Sequence, residues 1–104
     1  MYNFCTYFDS NYISYGLSLF NSLSSHSEEP INLYVLCLDE TTFRVLTEEK
    51  NKSLIPLKLE DIENEYPDLL EAKKNRSKIE YYFTLSPVLP LYLIEKLQVD
   101  LIAS

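Results

Sequence analysis

The chain alternates short, densely apolar runs with longer stretches whose apolar positions recur every three or four residues. Tyr2-Asn3-Phe4-Cys5-Thr6-Tyr7-Phe8 reads as a buried strand, and Asp9-Ser10-Asn11 as a short polar turn after it. From Tyr12 to Ser25 the positions Ile13, Gly16, Leu17, Phe20 and Leu23 fall on one face of a helix, which Asp9, Ser10 or Asn11 can cap. Ile31 to Leu38 is almost continuously apolar, as in a strand buried on both faces, and Asp39 then caps a short helix containing Phe43 and Leu46. A third strand is predicted over Leu54 to Leu59. Pro56 lacks the N–H that a central strand must donate, which places this strand at an edge.

Glu60, Asp61, Glu63, Glu65, Asp68 and Glu71 follow, across two short helical pieces with Pro67 at a first helical position. They are spread around the helix and no glycine supplies an EF-hand turn, so they read as a solvated acidic face rather than a metal site. The charge then changes sign at Lys73, Lys74, Arg76 and Lys78. Ser77 and Glu80 form a capping box that opens an aromatic helix through Tyr81, Tyr82 and Phe83; Ser86-Pro87 restarts it, and Pro90 forfeits a backbone bond. Val99 to Ser104 reads as a fourth strand. The pattern is that of an α/β protein.

Gly16, the only glycine, lies inside the first helix, where it costs about 1 kcal/mol relative to alanine. Its use there points to close approach to a strand or to a ligand. There is no Gly-x-Gly-x-x-Gly and no Walker-type lysine, which disfavours dinucleotide and P-loop chemistry.

With 104 residues the chain is at most one domain, and a formal charge of −7 argues against a general nucleic-acid binder. No apolar run approaches the length of a membrane span and no basic leader precedes one, so a cytoplasmic protein is expected. Cys5 and Cys37 fall in the two most apolar strands without a partner at metal-ligand spacing, and are expected to be inert core thiols. His26 falls in a Ser-rich loop and reads as solvent-exposed.

The segment Phe4-Cys5-Thr6-Tyr7-Phe8-Asp9-Ser10-Asn11-Tyr12, continuing through Tyr15-Gly16-Leu17 to Leu23, resembles the start of GT-A-fold glycosyltransferases of the family 8 type. Arg76 to Pro87 resembles the segment that precedes the metal-binding Asp-x-Asp strand in those enzymes. The resemblance spans nearly the whole chain. It implies a Rossmann-like parallel sheet in the order 3-2-1-4 with helices on both faces, the amino-terminal half of a GT-A fold, over residues 1–104 as a single donor half-domain.

The same resemblance implies a nucleotide sugar, of the UDP-sugar kind, as the partner. The family's Asp-x-Asn-Tyr falls on Asp9, Asn11 and Tyr12, with Thr6 beside them, as the uracil and ribose site; Arg76, and secondarily Lys78, fall where the donor phosphates lie. From the residues alone, Asp9 serves equally as a helix cap, Tyr12 as a core aromatic, and Lys73, Lys74 and Arg76 as cations answering a helix dipole. The Asp-x-Asp carboxylates are not in the sequence. The resemblance therefore implies a truncated donor half without catalytic or metal-binding residues or a cofactor of its own, manganese or magnesium belonging to a full-length relative. An uncovered last strand would favour self-association. The alternative is a non-catalytic α/β interaction or regulatory domain.

Overall fold

A computed structural model describes residues 1–103; Ser104, assigned above to the fourth strand, lies outside them. Four strands, β1 (Tyr2–Phe8), β2 (Ile31–Cys37), β3 (Leu54–Lys58) and β4 (Leu101–Ala103), form one sheet ordered β3-β2-β1-β4 with every pair parallel. Helices α1 (Ile13–His26) and α2 (Glu40–Glu48) connect the first three strands, and α3 (Leu59–Glu65), α4 (Asp68–Asn75) and α5 (Lys78–Lys96) lead to β4.

The two-residue period of the strands divides the core. Phe8, Leu33, Val35 and Cys37 pack with Phe20 of α1 and Leu46 of α2, while Cys5 and Leu36 point the other way, against Ile62, Leu69, Tyr81, Leu85, Leu89 and Leu93 of α3 to α5. Helices thus cover both faces, which is why β2 is apolar at nearly every position. Pro56 is tolerated because β3 is an edge: it pairs with Val35 on its one hydrogen-bonded side.

Gly16 owes its place to Phe8. A Cβ at this position would overlap the Phe8 ring, so the helix approaches β1 at a distance only glycine permits.

Three elements depart from the pattern reading. Ser86-Pro87 does not restart a helix: α5 is one helix of 19 residues with Pro87 and Pro90 inside it. Each internal proline costs roughly 3 kcal/mol, but Tyr81, Leu85, Leu89, Tyr92 and Leu93 are buried along one face, and full burial of each contributes about 1.5–3 kcal/mol. Packing outweighs the local penalty. The fourth strand begins at Leu101 rather than Val99. Gln98 takes a left-handed φ of 55°, and Val99, buried, turns back to donate its N–H to the Leu93 carbonyl at 2.9 Å. Glu63, finally, is not part of a solvated face. It is 7% exposed, its Oε2 accepting from the Tyr81 hydroxyl at 2.6 Å and from Lys73 Nζ at 3.1 Å.

Candidate functional site

The chain leaves β1 at its carboxyl end through Asp9 and a 3₁₀ turn, Ser10–Tyr12, before entering α1. Asp9 is the cap of that turn: its Oδ1 accepts from the N–H of Asn11 at 2.9 Å. Its second carboxylate oxygen has no hydrogen-bond partner among the described residues, so the cap role uses one of the two oxygens of this half-buried side chain. Tyr12 is not a core aromatic. It is 59% exposed, and Tyr15, one turn further along α1, is 69% exposed.

These residues border a cleft of about 320 Å³ whose lining includes Thr6 and Phe8 of β1, Asp9 and Tyr12 of the turn, Tyr15 and Gly16 of α1, Leu38 beyond β2, and Tyr82 of α5. In the sheet order, β1 has β2 and β3 on one side and β4 on the other, so the order of the strands reverses direction beside it. Crevices at such points are where open α/β sheets bind ligands. The walls are aromatic and the one carboxylate among the lining residues is that of Asp9.

Of the residues singled out in the sequence, the cleft brings together Thr6, Asp9 and Tyr12. Asn11 does not line it; its N–H is committed to Asp9 and its side chain is exposed. Arg76, the exposed residue that ends α4, does not line it either, and its charge acts on Glu80, whose carboxyl is lowered first by the N–H and hydroxyl of Ser77 and last by Arg76. Lys78 reaches the rim indirectly, its Nζ 5.9 Å from the centroid of the Tyr82 ring. Lys73 and Lys74 stand in the last turn of α4, where cations answer the helix dipole, and Lys73 also pairs with the buried Glu63 and lies 5.7 Å from the Tyr81 ring.

The contributions of Tyr15, Leu38 and Tyr82 are absent from the sequence reading. Tyr15 carried a signal, standing three residues after Tyr12 and so on the same helical face. Tyr82 and Leu38 carried none, because their approach to the cleft depends on how α5 and β2 sit beside β1.

A larger cleft, about 790 Å³, lies beside α2 and α3 with Arg44, Lys58, Glu60, Glu63 and Lys73 on its walls. Two ion pairs line it, Lys73 with Glu63 and Lys58 with Glu60 at 4.0 Å, with Lys58 also over Phe43, while Asp39, Glu40, Arg44 and Glu48 on its walls have no ion pair among the described residues. Size alone does not make it the better site. The smaller cleft combines a carboxylate oxygen without a partner among the described residues with exposed aromatic faces, beside the strand where the sheet order reverses.

Both thiols are buried. Burial pushes Cys5 up to about 11 and, against a hydrogen bond from the Leu57 backbone, Cys37 up to about 12, so neither is a nucleophile near neutral pH. His26 ends α1 and is exposed, its Nδ1 2.8 Å from the Ser22 carbonyl oxygen. Among the described residues no three His, Cys, Asp or Glu side chains converge as a metal-binding group, and no helix is long and apolar enough to cross a membrane.

The chain is similar to two proteins of Bacillus subtilis (strain 168). It is 33% identical to "Uncharacterized protein YfnF" over 85 residues, 82% of this chain and 27% of that protein, and 30% identical to "Uncharacterized protein YfnD" over 95 residues, 91% of this chain and 30% of that protein. The chain thus spans less than a third of the length of these curated relatives. No family model and no solved structure matches it.

Proposed function

We propose that this chain is the donor-nucleotide-binding portion of a GT-A-fold glycosyltransferase, on a Rossmann-like sheet, and that the cleft at the carboxyl end of β1 holds the nucleoside of a UDP-sugar. The observation that carries this reading is the meeting of the Asp9 carboxylate with the exposed rings of Tyr12 and Tyr15 at that place in the sheet. The free oxygen of Asp9 accepts from a base N–H; an exposed tyrosine ring offers a stacking face that a core aromatic could not. Thr6 supplies a hydroxyl for the ribose. Lys78, over the Tyr82 ring at the rim, is the cation proposed to meet the diphosphate, and Arg76 is assigned to it by the resemblance alone. The resemblance in Phe4 to Tyr12 and Arg76 to Pro87 supports the same reading.

In this reading UDP binds with a dissociation constant on the order of 1 mM, about −4 kcal/mol. Asp9→Ala costs roughly 1.5–3 kcal/mol for a charged hydrogen bond, and Tyr12→Ala about 1–3 kcal/mol for lost stacking. Manganese changes the affinity by no more than a few-fold, since Asp9 is the one carboxylate lining the cleft and half of it is already used as a cap. Amide chemical shifts during a UDP titration test the proposal. Perturbations centred on Thr6, Asp9 to Tyr12 and Tyr82 support it, and perturbations elsewhere, or none, favour a non-catalytic interaction domain.

A further inference from the structure

The carboxyl ends of β1 and β2 are tied together by one side chain. Asp39 lies between β2 and α2, and its Oδ1 accepts from the N–H of Thr42 at 2.9 Å and from the Thr42 hydroxyl at 2.5 Å. Its Oδ2 reaches the other way and accepts from the N–H of Ser10 at 3.0 Å. Capping α2 would occupy one oxygen; the second is given to a turn 29 residues earlier in the chain.

That turn has little else to fix it. None of Ser10, Asn11 and Tyr12 is buried, and its other hydrogen bonds are internal, from Asn11 N–H to the Asp9 carboxylate and from Tyr12 N–H to the Asp9 carbonyl. Just before it, the N–H of Leu38 donates to the Phe8 carbonyl at 3.1 Å, so the two strand ends are already in register when Asp39 reaches across. Thr42 is fully buried, which anchors the carboxylate at its α2 end.

We propose that Asp39 is a positioning residue for the Asp9–Tyr12 turn, holding the Ser10 N–H so that the Asp9 carboxylate and the Tyr12 ring stand where the cleft needs them. Its carboxyl group is suited to this. Burial acts to raise it, but the hydrogen bonds from Thr42 and Ser10 outweigh burial and hold it down to about 2, so the clamp stays charged throughout the neutral range. The effect on ligand rests on the nucleotide reading above; the clamp does not.

The test separates the two bonds of Asp39. Serine caps helices about as well as aspartate but cannot span to Ser10, so Asp39→Ser keeps the α2 cap and removes the clamp. Expected are a urea midpoint close to that of the unsubstituted chain, Ser10 amide exchange faster by at least about 10-fold with Thr42 still protected, shifted Tyr12 ring resonances, and uridine affinity lower by roughly 3- to 10-fold. Thr42→Val, which keeps the Thr42 N–H bond and loses the hydroxyl, is the stability control: it lowers the urea midpoint and speeds Ser10 exchange less than Asp39→Ser does, and an equal acceleration would overturn the clamp in favour of general loosening. Unchanged Ser10 exchange in Asp39→Ser would overturn the clamp, and faster exchange with unchanged uridine affinity would overturn its positioning role. If the unsubstituted chain does not bind uridine at all, the nucleotide reading fails, while Ser10 exchange and the Tyr12 resonances still decide the clamp.

Discussion

At the scale of single residues, the sign of a substitution depends on which neighbour is closest. Gly16→Ala in an ordinary helix interior would stabilise by about 1 kcal/mol. Here the new methyl group would meet the ring of Phe8, which is itself buried in the α1 side of the core, and overpacking costs roughly 1–3 kcal/mol. The expected net effect is destabilisation by about 1 kcal/mol in a urea titration, relieved when Phe8→Leu is added. The thiols give a second residue-scale prediction. An unfolded cysteine ionises near pH 8.5, whereas Cys5 and Cys37 hold their protons up to about 11 and about 12. Above pH 8.5 the unfolded chain therefore binds fewer protons than the folded one, and stability falls with rising pH until the folded thiols ionise as well. The contribution is intact below that window. Ellman's reagent at pH 8 should label neither thiol in the native chain and both in urea; rapid native labelling would contradict their burial.

At the scale of elements, what could be read from the sequence was whatever a local rule decides. The Ser77 and Glu80 capping box, the Asp39 cap, the edge position of Pro56 and the periods of β1, β2 and α1 need no knowledge of the rest of the chain. Glu63 could not be read in this way, because nothing in its own segment reveals that Tyr81 and Lys73 will converge on it. The same holds for the cleft: Thr6, Asp9 and Tyr12 are contiguous enough to be found together, while Tyr82 arrives from an element far along the chain. α5 shows tertiary packing overriding a local breaker. Pro87 is exposed and forgoes the bond to the Phe83 carbonyl, so Pro87→Ala restores a bond at the loss of some unfolded-state restriction, about 0.4–1 kcal/mol. A net gain of about 2 kcal/mol is expected as a raised urea midpoint; a lowered midpoint would show that the proline sets the path by which Leu89 and Leu93 reach the core.

At the scale of the whole molecule, the charge of −7 bears on the nucleotide site proposed above. On that proposal an acidic surface would give the diphosphate little long-range attraction, the energy would come from the base and ribose, and uridine should bind nearly as well as UDP. This makes a thermal-shift experiment informative. With a dissociation constant on the order of 1 mM, either ligand at about 10 mM stabilises the fold by about 1.4 kcal/mol. For a domain of this size that corresponds to roughly 5–10 °C in the unfolding midpoint. Tyr12→Ala is the cleaner control than Asp9→Ala, since Tyr12 is 59% exposed and its truncation leaves the core alone, whereas Asp9 also caps the turn. The variant should unfold at the original midpoint without ligand and show less than half the shift with it, because the loss of about 1–3 kcal/mol of stacking brings the dissociation constant close to or above the ligand concentration. A shift produced by UDP but not by uridine would move the site from the aromatic cleft to the phosphate-side cations, and equal shifts in the variant and the unsubstituted chain would remove Tyr12 from it.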